Sequence, residues 1–330
     1  MEALPQIRQT LSEIDSRIPD ALRVAMGVRF RASPALDPRV QDDVARFAAA
    51  CRLQPCQPPE GDDPMECDGD TESYSSMECD KAPPQALRVE AASCYLPDHN
   101  EDMHFVHQEA GVVGVADGVG GFRAQGVDAA AFSRALMTNA YEAVVAAMPS
   151  TDFCPYALLE AAYQDAVAAR TQGGSTAVLL SLVGRTLRYA YVGDSSFAVF
   201  RDGKLFFRSE VQQNFFNCPF QLCVKDGNSV SSAARGVIEV EEGDIVVAGT
   251  DGLFDNVSNL ELQRVVMMGR VLGFSPKHTA DVLAGFAYEA SMMTNRDTPF
   301  SIESRRREGT TFRRGKRDDI TVVVFYIVGS

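Results

Sequence analysis

The sequence predicts an α+β fold, with layered antiparallel sheets and helices outside them, and three observations predict it. Short apolar runs between residues 176 and 208 are separated by two-residue turn signals such as Gly184-Arg185 and Asp202-Gly203. Strands that close together must pair antiparallel, because a parallel partner needs a crossover of about a dozen residues. Pairs of helical segments interrupt the strand clusters, which argues against a doubly wound α/β sheet. Finally, 330 residues of which 45% are hydrophobic can bury a real core, enough for one large domain plus an extension or for two modest domains.

Taken in order, Leu4, Ile7, Leu11, Ile14 and Ile18 recur every three or four residues. That spacing predicts a short amphipathic helix ending before Pro19, in an N-terminal extension over residues 1–51. It either docks on the main domain or binds a partner. Residues 52–85 turn to Pro, Asp, Glu, Ser and Gly, and from Glu60 to Asp80 hold nine acids and no Lys or Arg. Such a stretch cannot bury a core, so an acidic, disordered linker is expected. An EF-hand reading of Asp68 to Cys79 fails, since Ser73 stands where the loop needs Gly and Cys79 where it needs Glu.

Residues 86–330 form the expected main domain. Predicted strands cover residues 111–116, 176–183, 186–192, 197–201, 204–208, 237–240 and 244–249, with a last one at 320–328 that is apolar on both faces. Predicted helices cover 127–148, where Phe132, Leu136, Ala140, Val144 and Met148 stack at spacing four, and 155–170, 260–271 and 276–293.

The net charge of −14 argues against nucleic acid as a partner, because that affinity comes from basic residues facing phosphates. No apolar run approaches the roughly 18 to 20 residues that cross a bilayer, so no membrane partner is expected. Eight irregularly spaced cysteines with no signal-like leader predict reduced thiols, and the acids within residues 1–20 are unlike a transit peptide. Cytosol or nucleus is the expected compartment, with plastid or mitochondrion still open, and the expected assembly is a monomer.

The chemistry is expected where acids meet strand ends. Asp68-Gly69, Asp202-Gly203 and Asp226-Gly227 are explained as turns. Asp117-Gly118 and Asp251-Gly252 differ, because each follows directly on an apolar strand. Asp318-Asp319 precedes the last strand, and Glu101-Asp102 precedes another. Carboxylates at a sheet rim are costly unless compensated. Four acidic stations without matching His or Cys suit hard divalent cations such as Mg²⁺ or Mn²⁺, while turn and N-cap roles for the same acids stay open.

Six motifs then occur in order: Asn-Glu-Asp at 100–102, Asp-Gly-Val-Gly-Gly at 117–121, Gly-Gly-Ser-Thr-Ala at 173–177, Gly-Asp-Ser at 193–195, Gly-Thr-Asp-Gly-Leu-Phe-Asp at 249–255 and Asp-Asp-Ile-Thr-Val-Val-Val at 318–324. Over residues 86–328 the chain resembles the metal-dependent type 2C protein serine/threonine phosphatases, in the branch with Asp-Gly-Val-Gly-Gly, and is similar to plant members. The resemblance implies a four-layer α-β-β-α sandwich and phosphoprotein substrates. It also implies two Mg²⁺ or Mn²⁺ ions and a weaker third. Asp117 would bridge two ions, Asp251 and Asp318 would hold one, and Glu101 with the Gly118 carbonyl the other. Asp102 and Asp194 match positions around the cluster, and Asp255 and Asp319 would support or cap it. Asp117 and Asp251 would thus be catalytic through a water that the cations activate.

Two departures stand out: Val119 replaces a His proposed to protonate the leaving alcohol, and no Arg precedes Glu101 to hold the phosphate. His99 and His104 are the available substitutes for the former. The alternatives are an inactive phosphatase-like binding protein or a hydrolase of small phosphate compounds. Residues 305–317 hold seven basic residues and one acid, which suggests a solvated loop, an import-like cluster, or a loop that attracts acidic phosphopeptides.

Overall fold

Strands that are apolar on both faces must be covered on both faces, and this requirement decides the architecture. A computed structural model describes residues 86–330, apart from Thr151 and Asp226. The expected N-terminal helix and the acidic linker lie outside the described residues, as does Asp226 of the third turn.

Two five-stranded antiparallel sheets carry the fold. The first runs β1 (Leu87–Leu96), β14 (Ile320–Gly329), β13 (Ile245–Gly249), β7 (Ser196–Arg201) and β8 (Lys204–Arg208). The second runs β12 (Ala234–Glu239), β6 (Thr186–Val192), β5 (Ala177–Val183), β3 (Val112–Ala116) and β2 (Met103–His107). Their facing sides form one core, in which Val113, Val115, Val178 and Leu180 of one sheet share a cluster with Phe197, Val199, Val246, Val323 and Phe325 of the other. The intervening residues point outward, as the period of two requires. Val112, Ala116 and Leu179 accordingly join Phe132, Leu136, Ala140 and Val144 of α1 (Ala130–Ala147) and Leu159 of α2 (Pro155–Ala168). Gly114 lies where this layer is tightest: a Cβ would meet Phe105 at 2.4 Å and Met137 at 2.8 Å.

On the other side α5 (Pro276–Met292) packs on β1 and β14, with α4 (Asn259–Leu272) beside it. Between β13 and α4 lies the one-turn α3 (Asp251–Phe254). The four layers are therefore helix, sheet, sheet and helix. α1 starts at Ala130, later than the predicted 127, because the Asp128 carboxylate accepts from the Ala130 amide at 3.1 Å.

Several elements had no prediction. β1 is half-buried and mixed in composition. Short pairs form between β9 (Gln213–Phe215) and β10 (Cys218–Pro219), and between β4 (Gly174–Ser175) and β11 (Leu222–Cys223). Helix α6 (Pro299–Glu308) replaces the expected start of the basic loop, begun by a Thr298/Ser301 capping box and ended by Gly309 at φ 66°.

The run of hairpins is also divided. β5–β6 and β7–β8 pair as expected, but β6 and β7 belong to different sheets. The chain crosses between sheets at Gly193, whose φ is 99° and where a Cβ would lie 2.7 Å from the Phe220 carbonyl. Residues 97–102 make another short crossing, from β1 to β2, and residues 240–244 a third, from β12 to β13. Register then brings the chemistry together. In the first sheet Leu96 faces Ile320, and Gly249 faces Val322 and Ser196. In the second, Met103 faces Ala116 and Ala177 faces Val192. Both rows of strand ends share one rim.

Candidate metal centre

Every acid singled out from the sequence stands on that rim. Asp117 leaves the end of β3, Asp194 lies in the β6–β7 crossing, Asp251 follows β13, Asp318 precedes β14, and Glu101 and Asp102 precede β2. Glu101, Asp102, Asp194 and Asp251 are buried. Burial pushes the Asp117 carboxyl well above the usual range, and Asp102, Asp251, Asp318 and Asp194 add to the effect, so these five carboxyls share one field. Asp102 and Asp318 are likewise raised, mainly by burial. Asp194 and Asp255 are each pushed up to about 7, again mainly by burial.

Neighbouring groups hold these acids in place. Asp102 Oδ2 accepts from the Thr250 hydroxyl at 2.8 Å and the Thr321 hydroxyl at 2.7 Å. Gln213 donates to Asp194 Oδ2 at 3.1 Å. The Asp117 backbone is fixed by Thr176, whose amide donates to the Asp117 carbonyl at 2.9 Å and whose hydroxyl accepts from the Asp117 amide at 3.1 Å. Gly118 bridges Ser175 through bonds made by the flanking residues, Val119 N to Gly174 O and Thr176 N to Asp117 O, which leaves the Gly118 carbonyl outside the ladder. A side chain at 118 would meet the Ala129 carbonyl at 2.4 Å, so only glycine fits.

Asp319 has a separate task. Its carboxylate accepts backbone amides of Asp98, His99, Asn100, Glu101 and Asp102 at 2.5 to 3.2 Å, which ties the β1–β2 crossing to the start of β14. Burial alone would raise its pKa, but those amides outweigh it and the group is lowered.

The two histidines offered as proton donors diverge. His104 is bound to the Ser93 hydroxyl at 2.9 Å within the sheets. His99 lies at the rim, 3.7 Å from both Asp98 and Asp318. Two cations were not singled out as site residues. Arg123, half exposed, lies 3.0 Å from Glu101. Lys316 touches Asp251 and lies 3.2 Å from Asp318 and 3.3 Å from Asp255. Burial would lower the Lys316 pKa, yet those three acids outweigh it and hold the ammonium well above its ordinary value. Lys316 stands two residues before Asp318, and that adjacency alone brings it near the rim; nothing local marks Arg123.

The donors fit a hard divalent cation. Oδ1 of Asp102, Asp194 and Asp251 is buried, and each lacks a hydrogen-bond partner among the described residues. Such atoms are costly unless a cation or water meets them. Among the described residues no three Asp, Glu, His or Cys side chains already close on one point; like charges repel unless a shared cation draws them together.

Comparison with known proteins decides what rim this is. A chain from Oryza sativa subsp. japonica described as "Putative protein phosphatase 2C 24" is 69% identical over 99% of this chain and 100% of its own. "Putative protein phosphatase 2C 23" of the same organism is 47% identical over 100% and 98%. The chain belongs to the protein phosphatase 2C family. It is accordingly a protein serine/threonine phosphatase by class. A family model described as Stage II sporulation protein E (SpoIIE) also matches residues 108–295, a span that contains Asp117, Asp194 and Asp251 but not Glu101, Asp102 or Asp318. The photosystem II phosphatase PBCP is 30% identical with a TM-score of 0.65, covering 72% of this chain and 98% of that one. The catalytic domain of the phosphatase PstP, in complex with two manganese ions, shares the 2C fold at 20% identity and a TM-score of 0.53, covering 73% of this chain and 99% of that one.

Proposed function

We propose that residues 86–330 are a self-sufficient catalytic domain that removes phosphate from phosphoserine and phosphothreonine with two Mg²⁺ or Mn²⁺ ions, and with a third held more weakly. Asp117 would bridge the pair, Asp251 and Asp318 would hold one ion, and Glu101 with the Gly118 carbonyl the other. Asp102 and Asp194 would serve the periphery, where Thr250, Thr321 and Gln213 fix their orientation. When bound, the ions supply a nucleophile at neutral pH and neutralise phosphoryl charge.

The protein's own part is positioning and proton handling. Arg123, ion-paired with Glu101 and donating its Nε–H to the Gly120 carbonyl at 3.2 Å, carries further guanidinium N–H groups suited to phosphate oxygens, which would replace the Arg absent before Glu101. Val119 cannot give a proton to the leaving alcohol, so water at the rim would do so, with His99 the nearest imidazole. All the residues assigned to the ions come from one chain, which supports a monomer as the active unit. Among the described residues no helix is long and apolar enough to cross a membrane. For the compartment we keep cytosol or nucleus.

The observation that carries this reading is the convergence of these acids with three unpartnered buried carboxylate oxygens. The test is hydrolysis of a phosphopeptide, with a phosphorylated metabolite as comparison. Asp117→Asn and Asp251→Asn should each lose at least about a hundredfold in kcat while staying folded, as loss of a principal electrostatic element does. Chelation should abolish turnover and Mn²⁺ restore it. Full activity in metal-free buffer would sink the metal mechanism, and preference for the metabolite would sink the protein-phosphatase role.

A further inference from the structure

Lys316 is held at the rim by more than its charge. Its amide donates to the Asn256 side chain at 2.9 Å, and its carbonyl accepts from the same side chain at 2.8 Å. Asn256, fully buried, also donates to the Gly252 carbonyl inside α3 at 2.9 Å. One residue earlier, the Gly315 amide donates to the Met293 carbonyl at the end of α5, and a Cβ there would lie 2.2 Å from the Ala290 carbonyl. The ammonium lies 5.8 Å from the Phe300 ring centroid, and the Phe300 amide donates to the Asp255 carbonyl at 3.0 Å. Three helices thus fix the course of the chain that delivers this cation, and only 14% of the side chain is exposed.

The ammonium meets Oδ2 of Asp251, Asp255 and Asp318, while Oδ1 of Asp251 is left buried and without a partner. Two of these three acids are the ones proposed above to hold one divalent ion, so the inference rests on that assignment. A resident +1 charge beside those ligands has two effects. It repels an incoming +2 ion, since unit charges a few ångströms apart still interact strongly in a partly buried site. It also neutralises acids whose burial would otherwise oppose folding.

We propose that Lys316 is a built-in cation that shares Asp251 and Asp318 with the divalent ion: it weakens that ion's binding and keeps the carboxylate cluster stable without it. The ion assigned to Glu101 and Gly118, which Lys316 does not touch, is spared. An ordinary supporting residue acts in the opposite sense, since its loss lowers metal affinity by about 10- to 100-fold.

The test is calorimetric titration of the whole chain with Mn²⁺, with melting in chelator as a readout independent of turnover. Lys316→Met should tighten one Mn²⁺ binding event by at least about tenfold, equivalent to about 1.4 kcal/mol. It should also lower the melting temperature in chelator, while Lys316→Arg keeps both near wild type. If Lys316→Met does not fold in chelator, Lys316→Gln is titrated with the same expectation. Should neither fold, Mn²⁺ must restore the fold, and its failure to do so overturns the proposal. Equal or weaker Mn²⁺ binding by a folded charge-free variant overturns the role of Lys316 alone. No Mn²⁺ binding by wild type overturns the metal assignment beneath it.

Discussion

At the scale of residues, Asp319 shows how neighbouring identical groups take different work. Asp318 faces the other acids and is raised, chiefly by burial, whereas Asp319 turns to five backbone amides and is lowered. A carboxylate is the side chain able to accept so many N–H groups, because it offers about four lone-pair sites and a full negative charge. Asp319→Asn keeps the shape but replaces one acceptor oxygen by a donor that faces amides already donating. We expect a loss of about 2 kcal/mol in stability, within the range for breaking charged hydrogen bonds at a buried site. Denaturant titration of metal-loaded protein would measure it; a change below about 0.5 kcal/mol would show that the amides find other acceptors.

At the scale of elements, α6 revises the picture of a free basic segment. Arg305, Arg306 and Arg307 form the last turn of the helix, where cations oppose the negative end of its dipole. They are also paired: Arg305 with Asp297 at 2.8 Å, Arg306 with Glu303 at 2.6 Å, and Arg307 with Glu303. Arg313 shares Asp297, and Arg317 lies 2.7 Å from Asp98. Asp297 and Glu303 each serve two of these arginines, so the pairs compensate only part of the positive charge, and the field left to attract acidic phosphopeptides is reduced. Changing Arg305, Arg306 and Arg307 to Ala should leave KM for such a peptide within about twofold at low salt. A several-fold rise in KM that disappears at high salt would restore the steering role.

At the scale of the whole molecule, gathering buried acids at one rim makes stability depend on pH in a definite sense. For a carboxyl whose pKa is raised by folding, the folded state binds more protons between the unfolded and folded values, so stability falls as pH rises through that window. Asp194 and Asp255, pushed up to about 7 from an ordinary value near 4, place the window between about pH 4 and 7. Asp319 acts oppositely, but its contribution is lost only at more acid pH, below the ordinary carboxylate range. In chelator the melting temperature should therefore be higher near pH 5.5 than near pH 8, and Mn²⁺ should reverse the order. Scanning calorimetry across that range decides it, and a chelated melting temperature that climbs steadily toward pH 8 would contradict the account.

The alternation of strands and helices, the stop of α1 near Pro149 and the placement of acids at strand ends were legible in the sequence, because periodicity and turn chemistry act between near neighbours. The six motifs in order suggested the ligand set proposed above. Helix α6 was not read from the sequence, since it has no apolar stripe to announce it; only its Thr298 cap and Gly309 mark its ends. The tertiary structure alone decided that β6 and β7 part into different sheets at Gly193, that Asp102 lies between Thr250 and Thr321, that Arg123 reaches Glu101, and that Lys316 meets Asp251 and Asp255 of another segment. Each of these joins residues distant in the chain. A local pattern carries no record of such a contact, because strand register and the closure of two sheets on one another fix it.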